Sequence, residues 1–292
     1  MAIPDFELDR SLVRRRANAA AATYPEADFL PREIARRMAE RLDYIRQDPR
    51  RILDLGCGPG ADRAILEARF PQAEYVGVDA ARAMLGPVTN GGFLRRLLGR
   101  PTQPARICAD AEALPLGRSS VSLVWSNLML NWLHDPLPAL REIHRVLEVG
   151  GLVMFSTLGP DTLRELRQAL PSRAGERVHR FIDMHDLGDA LVQAGFSDPV
   201  MDMEMLTLTY TDLDQLFADL RHAGATNAAV GRPRGLTGRS GWEQARATYA
   251  TLAREGRLPA TFEVLQGHAW KMPAKVTEDG RAVINFQPRK PG

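Results

Sequence analysis

The feature that most constrains this chain is a glycine-rich turn placed between a short apolar strand and a helix. Residues 51–55 (RILDL) have the pattern of a strand, residues 56–60 (GCGPG) form the turn, and 61–69 predict the helix. Glycine lacks a Cβ, so the backbone can turn tightly here and a ligand can approach it closely. A dinucleotide-binding fingerprint fails because Ala61 and Asp62 stand where its last glycine is expected, and a phosphate-binding loop fails because Gly-Lys-Ser/Thr is missing.

Strands and helices alternate through the first half of the chain, which predicts a mostly parallel sheet with helices on both faces. The predicted strands are 51–55, 74–79, 105–109, 121–126 and 151–157, and later 203–210 and 261–270. The predicted helices are 29–45, 61–69, 80–85 and 136–147, and later 161–170, 184–194, 212–222 and 242–255. Residues 1–23 predict an arm or a short amphipathic helix, and 87–104 and 224–241 predict loops.

Composition excludes several classes of protein. The 292 residues carry 38 Lys and Arg against 36 Asp and Glu, and a net charge of +2 argues against wholesale nucleic-acid binding. Two cysteines, Cys57 and Cys108, cannot form a disulfide framework. No apolar run reaches the roughly 18 residues of a membrane span, and the N-terminus lacks the apolar stretch of a secretory signal. We therefore expect a cytoplasmic protein, and no residue cluster at metal-ligand spacing predicts a metal site.

Polar residues stand at the ends of successive predicted strands. Asp54 is the penultimate residue of the first strand and Asp79 ends the second. Asp110 and Ala111 follow the third strand, and Asn127 follows the fourth. The carboxyl ends of parallel strands meet at one edge of a sheet, where ligands bind. An acidic residue after the second strand can hold both hydroxyls of a ribose. Two plainer interpretations stay open: the glycines also suit an ordinary strand-to-helix turn, and Asp110 also suits a helix N-cap.

Taken together, these motifs over residues 50–157 resemble the class I S-adenosylmethionine-dependent methyltransferases. The resemblance implies a Rossmann-like α/β fold, with a seven-stranded mostly parallel sheet whose last strand is antiparallel, helices on both faces and a helical lid. It implies S-adenosyl-L-methionine as cofactor. The residues it assigns to the cofactor are Asp54, Gly56, Cys57, Gly58, Asp79, Ala80, Asp110, Ala111 and Asn127.

The same resemblance gives a division of the chain. We expect an N-terminal arm and lid helix over 1–48 and a methyltransferase domain over 49–271, followed by a polar tail over 272–292. Insertions at 158–196 and 211–258 complete the lid. Such a lid excludes water and favours attack by a poorly solvated nucleophile.

A second resemblance covers nearly the whole chain. The stretches 20–37, 156–164, 181–196, 198–210 and 231–239 are similar to the malonyl-acyl-carrier-protein O-methyltransferases of biotin synthesis. This family implies methyl esterification of the free carboxylate of a malonyl group, with acyl carrier protein as the partner. A carboxylate is already ionised at neutral pH, so the reaction needs no general base. The oligomeric state and the choice between malonyl-carrier protein and malonyl-coenzyme A stay open.

Five residues are candidates for binding the acceptor or for catalysing the transfer. Arg232, Arg234 and Arg239 suit a bidentate grip on a carboxylate or on the acidic carrier, although arginines in a Gly/Pro loop also suit a solvated surface. Tyr24, where this family carries a tyrosine, is a catalytic candidate that could also simply anchor the N-terminal helix. His185 is the second catalytic candidate, with a helix cap or packing as the alternative.

Two other functions compete with carboxyl methylation. Residues 6–12 and 258–262 also resemble mitochondrial complex I assembly factors, which are regarded as S-adenosylmethionine-dependent protein arginine hydroxylases. A non-catalytic module that only binds S-adenosylmethionine is the third candidate. A cationic arginine substrate should meet acidic residues, whereas the loop at 231–239 is basic, so the sequence favours an anionic partner.

Overall fold

The computed structural model describes residues 6–87, 105–170, 175–235 and 237–273. Its seven strands form one sheet in the order β3-β2-β1-β4-β5-β7-β6. The strands are β1 (Arg51–Leu55), β2 (Glu74–Asp79), β3 (Ala105–Cys108), β4 (Val121–Ser126), β5 (Leu147–Leu158), β6 (Ser197–Tyr210) and β7 (Leu258–Trp270). β7 runs antiparallel to both of its neighbours, and the pairs from β3 to β5 are parallel. The predicted sheet, with its antiparallel last strand, is confirmed.

Eight α-helices lie in the described part of the chain. They are α1 (Arg10–Ala20), α2 (Phe29–Arg41), α3 (Arg63–Arg69), α4 (Leu137–Val146), α5 (Arg164–Ala169), α6 (Met184–Ala194), α7 (Leu213–His222) and α8 (Arg239–Ala250). Aspartate side chains cap three of them by accepting backbone N–H groups: Asp9 at α1, Asp183 at α6 and Asp212 at α7. Gly195 ends α6 in the left-handed conformation, as its place in the sequence predicts.

Both faces of the sheet are buried, which explains why its central strands are almost continuously apolar. Successive strand residues point to opposite faces. Trp125 of β4 therefore packs in the same cluster as Met38 of α2. Its neighbour Val124 packs with Ile143 of α4 and Leu191 of α6 on the other face.

Some predicted elements differ from the structure. The helix predicted at 80–85 is wrong. Met84 N donates to Ala81 O and Gly86 N donates to Ala83 O, and each of these hydrogen bonds closes a four-residue turn. The last helix begins at Arg239, inside the predicted loop, and ends at Ala250. Of the predicted connection 87–104, residues 88–104 lie outside the described residues, as does most of the polar tail.

The segments expected to form a lid pack in different places. α1 lies over the carboxyl ends of the strands. α2 and α6 instead pack on opposite faces of the sheet as parts of the two core clusters. The division of the chain into domain and lid therefore stays a prediction. In the ranges that the structure describes, no helix is long and apolar enough to cross a membrane.

Candidate active site

A cavity of about 180 Å³ lies at the carboxyl ends of β1, β2 and β4 and at the residues after β3; we call it the strand-edge cavity. Arg10, Val13 and Ala17 of α1 close it from the opposite side. The residues predicted from the sequence that line it are Gly56, Gly58, Asp79, Ala80, Asp110, Ala111, Asn127 and Tyr24. The strand ends therefore meet as the parallel topology requires.

The glycine turn forms one wall of this cavity. Gly56 has a φ of +79°, and a Cβ there would lie 2.5 Å from Cβ of Met129. Gly58 has a φ of +51°, and a Cβ there would meet nothing within 4 Å, so its backbone borders open space. Gly56 N and Cys57 N both donate to Val78 O, at 2.8 and 3.1 Å, which ties the turn to β2. Glycine is required at position 56 by both conformation and space.

Asp79 is held firmly at the end of β2. Its Oδ2 accepts from Gly58 N at 2.9 Å and its Oδ1 accepts from Ala81 N at 2.7 Å. Burial raises the pKa of this carboxyl, and the two amide donors oppose that rise. Each oxygen keeps acceptor capacity for a further donor. The carboxylate is thus oriented in advance for a ligand with paired hydroxyls.

Asp110 is bound by the N-terminal helix. Arg10 Nη2 donates to Asp110 Oδ2 at 2.7 Å, and Arg10 Nη1 donates to Glu112 Oε2 at 2.8 Å. The second oxygen of Asp110 accepts from Glu112 N at 3.1 Å. Asp110 therefore caps a turn rather than a helix, and it still lines the strand-edge cavity beside Ala111.

Asp54 and Cys57 lie outside the lining of the strand-edge cavity. Asp54 is 2% exposed and accepts from the hydroxyl of Tyr75 at 2.5 Å. Burial, with the nearby Asp62 carboxyl, raises the pKa of Asp54 well above its usual range. Burial likewise raises the pKa of the Cys57 thiol. Neither side chain lines the cavity, and the assignment of Asp54 and Cys57 to the cofactor stays a prediction.

Asn127 lines the cavity, but its amide group serves an internal network. Nδ2 donates to Pro31 O at 2.9 Å and to Asp62 Oδ2 at 3.0 Å, while Oδ1 accepts from Ser156 Oγ at 2.7 Å. Trp125 Nε1 also donates to Asp62, at 2.8 Å. The network joins α2, α3, β4 and β5. A role for Asp62 was not predicted from the sequence. The feature that could have indicated one is its position directly after the glycine turn.

Tyr24 and His185, the two catalytic candidates, lie in different places. Tyr24 lines the strand-edge cavity and packs against Ala20 and Met84. Burial and the carboxyl of Asp62 raise the pKa of Tyr24, so it stays a neutral phenol that can donate a hydrogen bond.

The structure does not bring His185 to the cavity. Its side chain is 87% exposed, and Nδ1 lies 2.9 Å from Oδ1 of Asp183, the N-cap residue of α6. These contacts agree with the helix-cap interpretation of His185.

Two of the three candidate arginines lie together. Arg232 and Arg234 border a cavity of about 410 Å³ with Arg16 and Arg177; we call it the arginine cavity. Arg232 is 19% exposed and donates to Ala229 O at 2.8 Å. Sequence reasoning missed Arg16 and Arg177, which come from α1 and from the loop before α6.

Arg239 is separate from this group. It is the first residue of α8, its side chain is 93% exposed, and it pairs with Glu243 one turn along the same helix at 2.8 Å. Its surroundings are those of a solvated surface residue.

A third cavity, of about 300 Å³, lies between the other two; we call it the apolar cavity. It shares Trp132 with the strand-edge cavity, and it shares Arg177 and Asn227 with the arginine cavity. Leu166 of α5 and Phe217 of α7 are among its apolar walls. The three cavities thus adjoin in series.

Comparison with known proteins agrees with this geometry. Residues 53–155 match the family described as "Methyltransferase domain". A malonyl-[acyl-carrier protein] O-methyltransferase from Laribacter hongkongensis is 50% identical over 98% of both chains, and one from a Methylovorus species is 47% identical over 97% of both. The YcgJ protein from Bacillus subtilis, 15% identical, has the same fold, with a TM-score of 0.54 over 82% of this chain and 98% of its own. The resemblances to the methyltransferases and to the malonyl-acyl-carrier-protein enzymes are confirmed, and the chain belongs to the malonyl-[acyl-carrier protein] O-methyltransferase family.

Proposed function

We propose that this chain transfers the methyl group of S-adenosyl-L-methionine to the free carboxylate of a malonyl group carried by acyl carrier protein. The observation that carries this proposal is the series of adjoining cavities that meet at Trp132 and Arg177. One end offers acidic residues and glycine backbone, and the other end offers arginines. The relatives, which are malonyl-[acyl-carrier protein] O-methyltransferases, indicate the identity of the acceptor.

The residues of the strand-edge cavity fit S-adenosylmethionine. Asp79 would accept the two ribose hydroxyls, and Asp110 with the Ala111 backbone would border the adenine. Burial, with nearby like charges, raises the pKa values of the carboxyls of Asp54 and Asp62, so a positively charged ligand in the neighbouring cavity would favour their ionised forms. When bound, S-adenosylmethionine supplies an electrophilic methyl group on a positively charged sulfur.

The protein then has to orient the acceptor and exclude water. A malonyl carboxylate is ionised at neutral pH, so no side chain needs to remove a proton. The products are a methyl ester and a neutral thioether, and no proton changes place. Alignment of the reacting groups can supply a large part of the rate acceleration in such a reaction.

Individual residues have distinct parts in this proposal. α1, joined to the strand ends through Arg10, keeps water out of the strand-edge cavity. Tyr24 acts as a neutral hydrogen-bond donor or packing surface beside the methyl group. Arg232 and Arg234 attract the anionic acceptor. His185 and Arg239 lie outside the cavities and have no part in it.

The proposal includes a cytoplasmic location. Cys57 and Cys108 are both free thiols, the state that a reducing compartment maintains.

The test compares three acceptors with the purified chain and S-adenosylmethionine. Intact-protein mass spectrometry should show a gain of one methylene on malonyl-carrier protein and none on acetyl-carrier protein, which lacks the free carboxylate. Malonyl-coenzyme A tests whether the carrier itself is required. Binding of S-adenosylmethionine without transfer to any malonyl thioester would overturn the proposal in favour of a binding module. Oxygen insertion into a protein arginine would favour the hydroxylase.

A further inference from the structure

We propose that the apolar cavity and the arginine cavity together bind the acyl–phosphopantetheine arm of the acceptor, with its phosphate among Arg16, Arg177, Arg232 and Arg234 and its acyl end at Trp132. This inference rests on the proposed function and names the binding site of its acceptor. It concerns cavities that the cofactor does not need, because the strand-edge cavity already contains the glycine turn and Asp79.

The apolar cavity contains buried polar atoms that have no partner. Among the residues that the structure describes, only a few buried side-chain atoms lack a hydrogen bond, and two of them, Nε of Arg177 and Nε2 of His179, belong to walls of this cavity. Leaving such groups unpaired is unfavourable, because they lose the hydrogen bonds that they make to water in the unfolded chain. A ligand with polar atoms along its length, such as the amides of a pantetheine arm, would pair them.

The two ends of the path differ in character. The His179 ring lies 5.5 Å from the ring of Trp132 and 4.6 Å from that of Phe181, centroid to centroid, so this end is aromatic. Trp132 also lines the strand-edge cavity, which places this end next to the site of methyl transfer. The acyl group therefore belongs here, within reach of a methyl donor in the neighbouring cavity.

The opposite end is basic and held in place. Arg16 donates to Asn227 O, Arg177 donates to the hydroxyl of Thr237, and Arg232 donates to Ala229 O at 2.8 Å. These backbone and hydroxyl acceptors orient the guanidinium groups without neutralising them. Asp9, whose Oδ2 lies 3.5 Å from Arg232, is the nearby carboxylate that offsets part of the charge. A cluster of oriented guanidinium groups is suited to a phosphate.

The first experiment removes the phosphate from the acceptor. Initial rates are measured with malonyl-phosphopantetheine and with malonyl-pantetheine, for the wild type and for Arg234→Ala. Arg234 is exposed, so its removal leaves the fold intact. Arg234→Ala should lower kcat/KM for the phosphorylated thioester about tenfold more than for the unphosphorylated one, as loss of a charge-assisted contact predicts. Arg50→Ala, at an exposed arginine before β1, is the matched control and should leave the ratio unchanged.

The second experiment fills the apolar cavity. Thr226→Trp places a large side chain in its wall, and Ala247→Trp on the exposed face of α8 is the control. Thr226→Trp should lower kcat/KM for malonyl-carrier protein about tenfold or more, while calorimetry shows an unchanged Kd for S-adenosylhomocysteine. That unchanged Kd also shows that the variant has folded.

The outcomes separate this inference from the proposed function. If the wild type methylates malonyl thioesters but neither variant changes the rates as stated, the assignment of the cavities is wrong and the function stands. If the wild type methylates no malonyl thioester, the function is wrong and the assignment is overturned with it.

Discussion

Arg10 Nη2 lies 2.7 Å from Asp110 Oδ2, and this ion pair joins the N-terminal helix to the residue that follows β3. The same guanidinium binds Glu112 at 2.8 Å. Because Asp110 lines the strand-edge cavity, one side chain links the helix that closes the cavity to the edge of the sheet that forms it. We therefore expect the position of α1 to affect ligand binding in this cavity.

Loss of the ion pair between Arg10 and Asp110 should weaken ligand binding in the strand-edge cavity. Both side chains are partly exposed, at 40% and 31%, so solvent screening limits the effect of Arg10→Ala to about 1 kcal/mol, or about fivefold in the Kd of S-adenosylhomocysteine. Calorimetry measures the Kd, and hydrogen exchange should show faster exchange of the α1 amides. Arg15→Ala, an exposed position on the same helix, is the control. Equal exchange and equal affinity in both variants would show that Arg10 does not hold the helix.

Asp79→Ala should weaken cofactor binding and leave the protein folded. The change removes the acceptor for ligand hydroxyls and also frees Gly58 N and Ala81 N, so we expect Kd to rise about tenfold to a hundredfold. Calorimetry with S-adenosylhomocysteine measures the Kd, and circular dichroism monitors the fold. Asp189→Ala, at an exposed aspartate on α6, is the matched control. Wild-type affinity in Asp79→Ala would remove this residue from the site.

The two glycines of the turn should respond differently to alanine. Gly56→Ala brings a Cβ to 2.5 Å from Met129 in a left-handed conformation, which combines overpacking of about 1–3 kcal/mol with backbone strain of about 1–2 kcal/mol. Gly58→Ala meets open space and carries only the strain. Urea unfolding should therefore rank Gly56→Ala as the less stable protein. The reverse ranking would contradict the packing of Met129 on the turn.

His179 should make the folded protein sensitive to acid. Burial, with smaller contributions from Arg167 and Arg16, lowers its pKa from 6.5 to about 4. Between these two values the unfolded chain binds a proton that the folded protein does not, so stability falls as pH falls from 6.5 to about 4. The loss should reach on the order of 3 kcal/mol.

The measurement is the free energy of unfolding across that pH range in the wild type and in His179→Phe. The variant should lose this part of the acid sensitivity and keep the part due to other groups. Parallel curves for the two proteins would show that His179 is not buried in its neutral form.

The sheet edge could be predicted from the sequence because its determinants are local. β1, β2 and β4 are short and mostly apolar, and parallel topology brings the carboxyl ends of neighbouring strands together. This is why Asp79, at the end of β2, and Asp110, two residues after β3, meet at one cavity. Asp54 follows the same rule but turns inward to Tyr75, a partner that no spacing indicates. The side-chain direction depends on packing and not on position in the strand.

The rest of the site could not be predicted because its parts come from distant segments. Arg10 meets Asp110 across 100 positions, and Arg16 meets Asn227 across 211. Neither pair has a periodic or motif signal. His179 and Trp132 have no motif signal in the sequence. Only the fold shows that both line the apolar cavity and that Trp132 also borders the strand-edge cavity. His185 stood beside a predicted helix start, where a cap and a catalytic role give the same pattern.

The decisive measurement follows a deuterated methyl group from donor to acceptor. The purified chain is incubated with malonyl-carrier protein and S-adenosylmethionine whose methyl group carries deuterium, and the carrier is weighed before and after mild alkali. A carboxyl methyl ester requires that the carrier gain one labelled methyl group and that alkali release it as labelled methanol. A carrier that gains no label, or a label that alkali does not release as methanol, would show that this chain does not esterify the malonyl carboxylate.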